Sequence, residues 1–151
     1  MKHLFLFFAA IILSNFLWAQ KIDTTLSQQI GVSVYTTCDT QPQYPGGLDS
    51  LFKLIGTNLA YPSDAREFNI QGTVYIGFIV EPDGTVSNMF IYKGIGAGCD
   101  EESMRVLSKM KKWEPGYLNG EAVYTVCYIP IRFVLQGSSF RGSKKKKSKN
   151  K

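Results

Sequence analysis

The stretch QGTVYIGFIVEPDGTV, residues 71–86, decides the fold. From Gly72 to Val80 the chain alternates, with Val74, Ile76, Phe78 and Val80 on one side. Successive side chains of a strand point to opposite faces, so this period of two predicts a strand with one buried face. Pro82-Asp83-Gly84 then carries turn chemistry. Proline presets φ, aspartate bonds its own backbone, and glycine takes the left-handed position. Val86 to Lys93 reads as the return strand of an antiparallel hairpin.

Downstream, Gly94-Ile95-Gly96-Ala97-Gly98 leads into a predicted helix over Asp100–Lys112, with Asp100 as its N-cap. Glu101 and Glu102 suit the positive end of the helix dipole, and Lys109, Lys111 and Lys112 the negative end. Ser103, Val106, Leu107 and Met110 recur at helical spacing and should face the core. Trp113 should cover the helix end, where Pro115-Gly116 stops it. The last element is a strand over Ala122–Leu135, in which Val123, Thr125, Cys127, Ile129, Ile131 and Phe133 alternate with Tyr124, Val126, Tyr128 and Arg132. Pro130 lies inside it; a proline cannot donate to a ladder, so it marks an edge position or a bulge.

Upstream, Pro45-Gly46-Gly47 opens a helix whose apolar stripe is Leu48, Leu51, Phe52, Ile55 and Leu59. Gly56 and Asn58 end it, and Tyr61-Pro62 cannot continue it. Ser63 or Asp64 can cap a short turn through Phe68. Residues 21–43 are polar and weakly patterned, a lead-in with room for one short strand in the alternating run Ile30–Tyr35.

The two ends have different compositions. Residues 1–20 read as a cleaved export signal: Lys2 and His3, an apolar run from Leu4 to Leu13, then Ser14, Asn15 and the small Ala19 before Gln20. A spanning helix needs ~20 apolar residues, which this run does not supply; a short uncleaved anchor is the alternative. Residues 141–151 hold seven Lys/Arg and no acid, whereas residues 21–140 hold nine Lys/Arg against twelve Asp/Glu, a net of −3. The 136–151 segment therefore reads as a solvated basic tail. Lys144–Lys151 could meet an anionic membrane surface. A nucleic-acid domain would need a basic folded face, and the net charge of 21–140 argues against one.

Catalytic chemistry is sparse. The single histidine is His3, so residues 21–151 can build no His-based triad or His zinc site. Cys38, Cys99 and Cys127 contain no Cys-x-x-Cys pair. In an exported protein they allow one internal disulfide at most, and reduced buried thiols are the alternative. The 94–98 glycine run lacks the Lys-Ser/Thr ending of a phosphate loop and would put Asp100, Glu101 and Glu102 against the anion. The same acids oppose a reactive Cys99. These residues imply no enzyme, no cofactor and no metal.

One set of marks remains: YPGG at 44–47, NLAYP at 58–62, the 71–86 hairpin, GIGAGCDEES at 94–103, KKWEPGYLNGE at 111–121 and YIPIRF at 128–133. In this order and spacing they resemble the TonB C-terminal domain family, specifically its short envelope branch, over Tyr44–Leu135. The resemblance implies an α+β fold, two helices packed on a three-stranded antiparallel sheet, sited in the periplasm; an inner-membrane anchor facing the periplasm is the alternative. It also implies contact with an outer-membrane TonB-dependent receptor or another envelope protein, by pairing a sheet edge with an extended segment. The matching positions are Val123, Tyr124, Thr125, Val126, Cys127, Tyr128 and Ile129, several of which, chiefly the odd-numbered ones, would serve equally as core. Lys111 stands where the branch's helix exit would fit a proline, which suggests a slightly longer helix. An energy-coupling member has a long spacer, whereas residues 21–43 span at most ~80 Å fully extended. The competing reading is an accessory envelope module that forms a homodimer through its own sheet edge.

Overall fold

The computed structural model describes residues 23–135. The export signal expected at 1–20 and the basic segment 136–151 lie outside the described residues.

The hairpin forms where the alternation places it. Strands β2 (Gly72–Val80) and β3 (Val86–Lys93) pair antiparallel. Asp83 Oδ1 accepts from the Thr85 N–H at 2.8 Å, and Gly84 takes φ +83°. Val74, Ile76, Phe78 and Val80 are fully buried. On its other side β2 pairs antiparallel with β5 (Glu121–Phe133), from Gly72↔Phe133 to Val80↔Thr125, without a register shift. These three long strands are the expected sheet, with β2 in the middle.

Helices cover one face. In α2 (Gly47–Asn58) Leu51 and Ile55 are buried, in the short α3 (Ser63–Glu67) Ala65, and in α4 (Cys99–Leu107) Cys99, Ser103, Val106 and Leu107. They form one core with the β2 row and with Ile129, Ile131 and Phe133 of β5. Burying each large apolar side chain there stabilises the fold by about 1.5–3 kcal/mol. The α2 stripe is narrower than its spacing predicts: Leu48 and Phe52 are 64 % and 52 % exposed. Only the central i, i+4 pair of α2, Leu51 and Ile55, is buried.

Trp113 explains the largest departure from the predicted elements. The helix expected through Lys112 ends at Leu107. Trp113 instead packs between Tyr44 and Phe78, ring centroids 5.5 and 5.3 Å away, and its backbone N–H donates to the Gly84 carbonyl. Reaching the hairpin tip draws residues 108–112 off the helix axis, a tertiary override of good helix formers. Lys112 then meets Asp83 at 2.9 Å, and Lys109 donates to Asn58 Oδ1.

The capping assignments also change. Gly98, at φ +81°, occupies the N-cap of α4 and makes no side-chain cap. Asp100 sits inside the helix and reaches back, accepting from the Ile95 and Gly96 N–H groups and so closing the glycine loop. Pro62 precedes α3, again without a side-chain cap from Ser63 or Asp64.

One short strand and one helix are added to the expected plan, and the short strand expected within Ile30–Tyr35 forms. β4 (Gly116–Leu118) pairs with Glu121–Val123 of β5 around a turn at Asn119-Gly120. In the lead-in, α1 (Thr24–Ile30) is followed by β1 (Val34–Tyr35), which pairs parallel with β5 at Tyr124 and Thr125. The strand order is β1-β5-β2-β3, with β4 attached to β5. Leu26 and Ile30 of α1 pack on Val34, Ile79 and Val126, covering part of the face opposite the main helices.

Candidate functional site

β5 is the element on which the family resemblance places the candidate contact residues, and its two sides are unequal. The β2 side is occupied from Thr125 to Phe133. On the outer side β1 ends at Tyr35, opposite Thr125. Among the described residues no strand covers β5 beyond that point. An open edge therefore runs from Val126 toward Phe133.

Pro130 fixes which backbone groups point into this opening. It pairs with Tyr75 in an unshifted register, so it marks an edge position and not a bulge. A proline in a regular ladder must turn its nitrogen away from the partner strand. Residues of the same parity share that direction. Tyr128 and Arg132 thus direct both N–H and C=O outward, and Pro130 its C=O alone. Tyr124, of the same parity, is the residue whose outer side β1 takes.

The seven candidate residues divide accordingly. Val123 is paired with Gly116 of β4, and Tyr124 and Thr125 are paired with β1. Val126 is buried beneath α1, with Val34 and Ile79. Cys127 and Ile129 turn toward the helical core. Tyr128 is the one large side chain of the set on the open stretch that reaches solvent, at 44 % exposure. Burial pushes the Cys127 thiol up to about 12, with a smaller push from Cys38. Cys99 is raised by burial and by Asp100 and Glu101 beside it. Cys38, Cys99 and Cys127 are all free thiols. Among the described residues no group of three or more His, Cys, Asp or Glu side chains converges.

A family model described as Gram-negative bacterial TonB protein C-terminal matches residues 57–135, just over half of the chain. The chain belongs to the TonB C-terminal family. The matched region starts in the last turn of α2 and takes in the hairpin, α4 and all of β5. Neither the curated proteins nor the solved structures yield a match. The TonB-family unit here is thus matched from the end of α2, while α1, β1 and most of α2 precede it.

Sequence reasoning missed α1 and its effect on the edge. The signal was present: Asp23 caps Leu26, Leu26 and Ile30 stand four apart, and Gly31 ends the helix at φ +72°. It also missed the aromatic group that Tyr128 joins. Tyr92 and Phe90 of β3 lie 5.1 and 6.2 Å from it, ring centroid to ring centroid, both edge-on. No helix of the described residues is long and apolar enough to cross a membrane.

Proposed function

We propose that this chain is an envelope interaction domain that takes up an extended segment of an outer-membrane receptor, or of another envelope protein, along the open edge of β5. TonB-family C-terminal domains are interaction domains of the Gram-negative periplasm, and an enzyme activity forms no part of the proposal. The observation that supports it is the outward-facing ladder at Tyr128, Pro130 and Arg132, left uncovered where β1 stops. A strand added there gains main-chain hydrogen bonds, and side chains beside Tyr128 supply selectivity. Export through residues 1–20 would deliver the domain to that compartment, and Lys144–Lys151 would add attraction to an anionic membrane surface.

The test is an NMR titration of labelled residues 21–151 with N-terminal plug peptides from receptors of the same genome. Amide shifts at Val126–Arg132 with one peptide are expected. A spectrum unmoved by every peptide overturns the receptor reading. Line broadening of the same amides with rising protein concentration alone would instead favour a homodimer through that edge.

A further inference from the structure

The sheet face opposite the main helices carries a hollow of about 520 Å³. Its walls include Phe90, Tyr92 and Tyr128 from the sheet and Asp23 and Leu26 from the α1 region. Among the described residues, none that lines it is a lysine or arginine. Tyr92 is 67 % exposed, so its ring is presented to solvent. Asp23 Oδ1 accepts from the Leu26 N–H at 3.1 Å. The carboxylate lies close enough to Tyr128 to reinforce the upward push that burial gives its hydroxyl, and Tyr92 adds to it.

Aromatic faces attract cations through their quadrupole, more strongly for a guanidinium or ammonium that loses some water. A carboxylate in the same hollow adds a charge-assisted partner. We propose that this hollow receives the basic side chain, lysine or arginine, of the segment that pairs with β5. This rests on the strand-addition reading above. Tyr128 joins the two: its backbone faces the open edge and its ring walls the hollow. On an added strand the residue opposite Tyr128 projects to the same face, with Cβ atoms ~5.5 Å apart. A long basic side chain there extends over the rings toward Asp23, and the occupant is selected by charge as well as by shape.

Two probes separate this proposal from strand addition itself. The first is a ten-residue alternating Thr/Val peptide with one central arginine, titrated into labelled residues 21–151 alongside its citrulline counterpart. The arginine peptide should bind about tenfold tighter, a preference in the range of one cation–π contact. It should shift Leu26 and Tyr92 as well as the edge amides. The preference should vanish in Asp23→Asn, which keeps the helix cap, and shrink in Tyr92→Leu. Equal binding of the two peptides overturns the hollow and leaves edge pairing intact. If neither peptide binds, N-acetyl-arginine amide alone decides. Shifts at Leu26, Tyr92 and Tyr128 that its citrulline analogue does not cause retain the cation site while edge pairing fails. No such shifts overturn it.

Discussion

The ring of Phe90 occupies the space that a side chain at position 77 would need: a Cβ added to Gly77 would collide with it. Gly77 stands directly between Phe90 on β3 and Tyr128 on β5 in the sheet register. The missing side chain lets the two rings approach edge-on across the middle strand, 6.2 Å apart at 89°. Glycine weakens a strand in general; here an aromatic neighbour covers the gap.

Gly77→Ala should therefore destabilise the domain by about 1–3 kcal/mol, the usual cost of overpacking. Urea unfolding would measure the loss. Tyr128 signals should move with it, because Phe90 must shift. Adding Phe90→Leu should recover part of the stability. An alanine at 77 that leaves the urea midpoint unchanged would show that the ring yields freely.

Proline scanning along β5 tests the direction of its backbone groups. Tyr128→Pro removes an N–H that points outward, so folding should survive while binding of any edge peptide is lost. Ile129→Pro removes an N–H directed at β2 together with a buried side chain. It should cost about 3 kcal/mol or more. Thermal unfolding of the two variants gives the comparison, and the opposite ranking would reverse the assigned parity.

Asp83 gives the hairpin tip a pH dependence. The Lys112 ammonium, then the Thr85 N–H and hydroxyl, hold its carboxyl down at about 2. A depressed folded value means the contribution is complete above the unfolded value near 3.8 and is lost as pH falls through about 2. Asp83→Asn should lower Tm at pH 7, and the gap to the parent should close between about pH 4 and pH 2. A gap that persists at pH 2 would assign the effect to turn geometry and not to charge. High salt should also narrow it at pH 7, since the Asp83–Lys112 pair is exposed.

Thiol chemistry should follow burial. With its thiol at about 12 against an ordinary 9.0, Cys127 carries roughly a thousandfold less thiolate than a free cysteine. Cys99 is fully buried and also raised. Iodoacetamide at pH 8 should leave both unmodified in the folded protein and label them once urea unfolds it, as read by peptide mass mapping. Rapid native labelling of Cys127 would mean that β5 opens locally.

Some elements were legible because their determinants are local. The row Val74, Ile76, Phe78, Val80 declares a buried face by period alone, and Pro82-Asp83-Gly84 declares its turn by residue chemistry. Helix limits were less legible. Residues 108–112 are good helix formers, yet Trp113 is held by Tyr44, Phe78 and the Gly84 carbonyl, all distant in sequence. Asp100 reads as a cap from its position, but the loop amides of Ile95 and Gly96 compete for it successfully.

By itself the sequence determined the hairpin, the buried centres of α2 and α4, the closing strand and the family, because period, turn chemistry and motif order are carried by residues close together along the chain. Only the tertiary structure decided how much of β5 stays open. β1 lies about ninety residues before its partner and is just Val34–Tyr35 long, too short to announce a pairing. Its stop at Tyr35, and the packing of α1 on Val126, depend on long-range closure that no local pattern encodes. That closure leaves Tyr128 at the border of an open ladder and an aromatic hollow.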